Sequence, residues 1–184
     1  MTMQDMFVAA AGKVGSVAVL CETQQQIVSY LIEKLRGALV LPPCPSLQRI
    51  DLASRLREAG VTVVDDDFRS RAPAAAAGLT GANFAIAATG TVVLESTAEE
   101  LRLASTLPEQ HFVLLDPAKI LPDSSAAVPL LRQLHARLPQ AFLAYITGPS
   151  RTADIERVLT IGVHGPKELH ILLCEGVSDD FMES

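Results

Sequence analysis

Between residues 147 and 166 hydroxyl, guanidinium, carboxylate and imidazole groups crowd around glycines and prolines, in Thr147-Gly148-Pro149-Ser150-Arg151-Thr152-Ala153-Asp154-Ile155-Glu156 and then Gly162-Val163-His164-Gly165-Pro166. Gly148 permits a close backbone approach, Pro149 stiffens the turn, and Ser150 and Thr152 offer hydroxyls where a short helix is expected to start. Backbone N–H groups at such a start, with Arg151 as charge partner, suit a small anion such as a carboxylate or phosphate. Asp154 and Glu156 pull the other way, because acids in a first helical turn already satisfy its dipole. They fit instead a bound cation or a general base. His164, on a loop with little steric cover, is the preferred titrating group, so His164 and Asp154 are the catalytic candidates. A plainer reading stands beside each assignment: Gly-Pro-Ser as a turn with an N-cap, Asp154 as a solvated acid, and His164 as a hydrogen-bonded structural residue.

A second, smaller cluster is Thr89-Gly90-Thr91, a glycine flanked by hydroxyls between two apolar runs. It reads either as a close backbone approach to a ligand or as a simple turn. It has neither the Lys of a P-loop nor the three glycines of a dinucleotide fingerprint. Arg102, after Glu99-Glu100, reaches the same edge or forms a surface ion pair. His111, His135 and His170 stand at spacings that make no metal motif, and are read as structural or surface residues; no metal site is expected.

Elements must bring these groups together. Val14 to Leu20 reads as a strand, followed by a helix that Thr23 caps and that carries Ile27, Tyr30, Leu31 and Leu35 at helical spacing. Leu39 to Leu41 is a second strand. Ser46 then caps a helix with Leu47, Ile50, Leu52 and Leu56 inward, stopped by Gly60, and Val61 to Val64 is a third strand. Arg71 to Gly78, with four successive alanines after Pro73, reads as a helical linker. Asn83 to Ala88 and Thr91 to Glu95 form a hairpin or one bent strand, an antiparallel element expected to join the sheet. His111 to Asp116 is a strand, Pro117 to Leu121 a connector and Ser125 to Leu138 a helix. Phe142 to Ile146 reads as a buried strand that empties into the 147 turn at the carboxyl edge of a sheet, where α/β proteins bind ligands. A short helix around Ile155, Val158 and Leu159 and a last strand, Leu169 to Cys174, complete the chain. Strands alternating with helices indicate an α/β fold with a mostly parallel sheet, flanking helices and an antiparallel element. At 184 residues a single domain over 1–184 is expected.

Composition narrows the partners. With 15 basic against 21 acidic residues and a net charge of −6, the chain repels phosphate backbones and anionic lipid. Six Phe, two Tyr and no Trp offer few stacking platforms for single strands, so nucleic acid is excluded as a partner. Cys21, Cys44 and Cys174 are odd in number and widely spaced, fitting neither a disulfide framework nor an iron–sulfur site held by this chain alone. Met1 to Ala11 has no Lys or Arg, so it lacks the charged region of a secretory signal. No uncharged run reaches the length of a membrane span. The expected location is the cytoplasm.

Taken in order, Ala85-Ile86-Ala87-Ala88-Thr89-Gly90-Thr91, then Leu107-Pro108 with His111, then 147–156 and 162–166, resemble the lactate utilisation protein C family, the LUD or DUF162 domain. The resemblance covers roughly residues 78 to 175. It implies a fold like that of the NagB/RpiA/CoA-transferase superfamily and a part in oxidising L-lactate to pyruvate beside iron–sulfur partner proteins that supply the clusters. It also implies a pocket for a small anionic ligand lined by Thr89 to Thr91, the 147–156 turn and His164 to Pro166. One departure is Ala88, where the family usually carries Glu; the chain also looks shorter at its N-terminus than many relatives. Two alternatives stay open: a free-standing enzyme acting on a phosphorylated or acyl substrate, and a ligand-binding regulatory module.

Overall fold

The structure is a computed structural model and describes residues 2–138, 140–152 and 160–182, with 160 and 161 described by their backbone alone. In chain order the elements are α1 (Met3–Lys13), β1 (Val17–Leu20), α2 (Gln24–Lys34), β2 (Leu39–Val40), α3 (Pro45–Arg49), α4 (Leu52–Glu58), β3 (Val63–Val64), α5 (Phe68–Arg71), β4 (Ala77–Gly81), β5 (Phe84–Ile86), β6 (Thr91–Glu95), α6 (Glu99–Thr106), β7 (Gln110–Leu115), β8 (Ile120–Leu121), α7 (Val128–Arg137), β9 (Leu143–Ile146), β10 (Arg151–Thr152), β11 (Thr160–Ile161) and β12 (Glu168–Leu173).

A six-stranded parallel sheet in the order β1-β12-β7-β4-β2-β3 forms the centre. Side chains alternate across its two longest strands and so divide the core. Phe112, Leu114 and Leu172 pack with Ile27 and Leu31 of α2 and Leu52 and Leu56 of α4. Val113, Leu115, Leu169, Ile171 and Leu173 pack on the opposite face, against Phe7 and Ala11 of α1 and Ala85 and Val92 of a second sheet. That second sheet, β8-β5-β6-β9, contains the expected hairpin: β5 and β6 run antiparallel across Thr89-Gly90, and β9 runs antiparallel to β6. The α/β class, the mostly parallel sheet and the antiparallel element are therefore present, although the antiparallel strands form a layer of their own instead of joining the main sheet.

Several elements differ from expectation. The alanine stretch is no linker: after α5 and a 3-10 turn at Ala72–Ala74 it enters β4, wholly buried between β2 and β7. Small residues there let a parallel strand be covered on both faces. The single Ser46-capped helix is two helices, with Cys44 at the first cap, Ser46 buried inside α3, and a break at Asp51, whose φ is 48°. A helix not foreseen, α1, is started by a capping box in which Asp5 N–H donates to Thr2 Oγ1 and Thr2 N–H to Asp5 Oδ2. The strand from Phe142 is half exposed instead of buried, because β9 is the edge of its sheet; Phe142 itself is 63% exposed. No helix starts at Ser150 to Thr152, since Arg151 and Thr152 are extended and pair with Ile161 and Thr160. The short helix placed around Ile155, Val158 and Leu159 lies outside the described residues.

Candidate functional site

Thr147, Gly148, Pro149 and Ser150, leaving the end of β9, meet His164, Gly165 and Pro166 around a cavity of about 250 Å³. Two backbone bonds tie the turn and loop together: Ser150 N–H donates to the Pro166 carbonyl, and Gly162 N–H to the Ser150 carbonyl, each at 2.9 Å. Ser105 and Thr106 at the end of α6, Ala144 to Ile146 of β9, and His111 and Leu169 at the starts of β7 and β12 complete the lining. The motif cavity therefore lies between β9 and the amino edge of the parallel sheet, not at the carboxyl edge anticipated from sequence.

His111 is the residue that sequence reasoning set aside. It shares a face of β7 with Val113 and Leu115, is 1% exposed, and hydrogen-bonds through Nε2 to Thr80 Oγ1 of β4 at 2.9 Å. Burial pushes its imidazole down to about 4, so it is uncharged near neutral pH. The signal was there: an imidazole in the position that alternation assigns to an apolar side chain. His164 is exposed, and with Thr106 and Gly165 it also lines an outer groove of about 520 Å³, flanked by a Lys167–Glu109 ion pair. Among the described residues lining the inner cavity none is Lys, Arg, Asp or Glu. What it offers is hydroxyls, backbone groups and two imidazoles, a set suited to hydrogen-bonding a small polar molecule.

Other predicted residues take different places. Gly90, at φ 66°, presses on α1: a Cβ there would lie 2.3 Å from Ala11 N. Gly148, at φ 81°, does the same against the Val14 carbonyl, also at 2.3 Å. The close approach both glycines permit is to a helix backbone, not to a ligand. Arg151 is turned away from the cavity and donates to the Val14 carbonyl at 2.6 Å, placing a cation at the negative end of α1. Thr89, Thr91 and Thr147 form a hydroxyl chain, with links of 2.6 and 2.8 Å, that joins the hairpin turn to the cavity. Arg102 donates to the carbonyls of Ser96 and Thr97 just before its own helix. Thr152 sits in β10 away from the lining, while Asp154 and Glu156 lie outside the described residues. His170 is structural, bonded to Tyr30 at 2.8 Å and stacked on Phe112.

A larger cleft of about 870 Å³, not foreseen, opens at the carboxyl edge of the parallel sheet. Asp116, directly after β7, is 4% exposed and accepts from Ala118 N–H at 2.9 Å and Ser178 N–H at 3.2 Å. Arg49 donates to Ser178 Oγ at 3.0 Å, and Glu175, Gly176 and Asp179 follow β12 along the rim. An acid closing an apolar strand was the available signal. Among the described residues no three His, Cys, Asp or Glu side chains gather as metal ligands do, and no helix is long and apolar enough to cross a membrane.

The sequence profile of the LUD domain matches residues 5–174. An uncharacterized protein of Neisseria meningitidis serogroup B, NMB1437, is 43% identical over 97 residues, 52% of this chain and 41% of its own. Lactate utilization protein C of Anoxybacillus flavithermus is 31% identical over 163 residues, 86% of this chain and 71% of its own. The match thus spans about two fifths of the first relative's length and under three quarters of the second's. In three dimensions the chain is similar to a DUF162 family protein from Deinococcus radiodurans, with a TM-score of 0.61 at 17% identity, covering 95% of this chain and 99% of that one.

Proposed function

Because the chain belongs to the LUD domain family, we propose that it is a cytoplasmic component of a lactate-utilising system that holds L-lactate or pyruvate in the motif cavity. The observation that carries this is convergence: the 147–150 turn and the 164–166 loop, separated along the chain, line one cavity with room for a three-carbon acid. The Ser150 hydroxyl serves as donor to the carboxylate, with His164 at the rim. Oxidising lactate to pyruvate releases two electrons and two protons. An iron–sulfur cluster takes four ligands, typically thiolates, whereas Cys21, Cys44 and Cys174 are each buried in the core, and burial pushes the Cys21 thiol up to about 11. In this reading the clusters reside on partner proteins, and the chain is a subunit that binds ligand and docks to them.

Calorimetric titration of the full chain with L-lactate and pyruvate tests the binding, with Ser150→Ala and His164→Ala as controls. Saturable heat in the wild type, weakened at least tenfold in both folded variants, is expected. No heat with either acid would sink the reading. A second reading, an enzyme acting on a phosphorylated substrate, is favoured by one observation: the 870 Å³ cleft lies where parallel α/β sheets commonly take ligands and carries Arg49. Asp116, Glu175 and Asp179 on the same cleft oppose an anion there.

A further inference from the structure

We propose that His111 selects the ligand, its ring meeting the oxygen on the acid's second carbon at the closed end of the motif cavity while the carboxylate stays at the rim beside His164. This rests on the reading that the cavity takes a small carboxylic acid, and it adds an orientation and a criterion of choice.

Depth supplies the orientation. His111 is almost wholly buried, whereas His164 is exposed and shared with the outer groove. A 2-hydroxy or 2-keto acid has one charged end and one neutral oxygen. Moving the carboxylate to the closed end would strip it of water where no described lining residue carries a compensating charge, and an uncompensated buried charge is strongly disfavoured. The neutral oxygen needs only one hydrogen bond, and a buried imidazole supplies it.

Rigidity supplies the selection. β7 lies between β4 and β12 in the middle of the sheet, and Thr80 on β4 takes Nε2. The ring is held before a ligand arrives, and Nδ1 remains as the nitrogen for it. A neutral imidazole carries one donor and one acceptor, and the Thr80 hydroxyl is able to give or take a proton in its bond to Nε2. With Thr80 as donor, Nδ1–H faces a keto oxygen; with Thr80 as acceptor, bare Nδ1 faces a hydroxyl. Both oxidation states of the acid are accommodated. An acid with only hydrogens on its second carbon leaves the buried ring nitrogen without a partner on the ligand, and sites built to bond a polar group reject analogues that lack it.

Titration of the full chain with L-lactate, pyruvate and propionate tests this, using wild type, His111→Leu and Thr80→Val, each checked for native circular dichroism. The wild type is expected to bind both lactate and pyruvate at least tenfold more tightly than propionate. His111→Leu should lose that preference while holding propionate as well as before or better, and Thr80→Val should narrow the preference with the ring still present. If His111→Leu does not fold, the narrowing in Thr80→Val carries the test. Equal binding of propionate and lactate by the wild type, or an unchanged preference in both variants, overturns the role of His111 and leaves the cavity as a carboxylate site. Failure of the wild type to bind any of the three overturns the underlying reading together with this one.

Discussion

The two concavities lie at opposite ends of the same strands. Near the starts of β7 and β12, the motif cavity is made from a turn and a loop rich in glycine and proline and has no described carboxylate or ammonium in its lining. Past the ends of those strands, the carboxyl-edge cleft is more than three times larger and is bordered by Asp116, Glu175, Asp179 and Arg49. Motif density marks the first; topology alone marks the second. A dense run of turn residues shows that a loop is fixed in place, but not at which end of the sheet it is fixed. The strand order and the parity of residues along each strand decide that.

The largest expected effect comes from joining the two regions through α1, whose N-terminal residues border the cleft and whose C-terminal turn rests on Gly90 and Gly148. Gly90→Ala should cost about 3 kcal/mol, from a positive φ combined with overpacking against Ala10 and Ala11. Urea unfolding checks this, and a cost near zero would mean that α1 is not held there. Next is acid stability. His111 is uncharged when folded, with its imidazole at about 4, and titrates near 6.5 when unfolded. The unfolded chain therefore binds the extra proton between these values, and stability falls as pH drops from about 6.5 to 4, by about 3 kcal/mol in all. His111→Gln should flatten that limb of the curve, read from unfolding midpoints across pH.

Smaller effects separate the regions. Asp116→Ala leaves the N–H groups of Ala118 and Ser178 without their acceptor and should cost about 2 kcal/mol in urea unfolding, yet leave lactate affinity as it is. Lost affinity in a folded Asp116→Ala protein would move the ligand to the cleft. Smallest is Arg49→Ala: its side chain is exposed and gives up one hydrogen bond, to Ser178 Oγ, so the unfolding midpoint should fall by the equivalent of no more than about 1 kcal/mol. Its value lies in phosphate binding, where any affinity of the wild type that this variant abolishes would revive the phosphorylated-substrate reading.

Much of the sheet was legible because buried parallel strands are short apolar runs between helical patterns, as in Val61 to Val64 and Leu169 to Cys174. The alanine stretch misled because its composition fits a helix, and only tertiary burial makes Ala77–Gly81 a strand. Helix α1 was missed for lack of a strong apolar stripe, although Thr2 and Asp5 spell out its capping box. At the site, the 147–150 turn and the 164–166 loop were recognisable from their turn chemistry and do line one cavity. Arg151 was read as an anion partner because sequence gives no means of seeing that the α1 carbonyls lie within its reach. His111 was passed over because spacing along the chain says nothing of its meeting a loop more than forty residues away across two sheets.

The docking of α1 and β1 also bears on how the protein is made. Val14 receives Arg151 across 137 residues of chain, Tyr30 finds His170 across 140, and β1 takes its place in the sheet beside β12. The segment Met3 to Leu20, made well before β12, is thus fully seated only once β12 is in place, and contacts of such span slow folding. Until β12 emerges, Leu169, Ile171 and Leu173 are missing from the cluster that covers Phe7 and Ala11, so a nascent chain stalled before Glu168 would leave that face of α1 incompletely covered and open to chaperones.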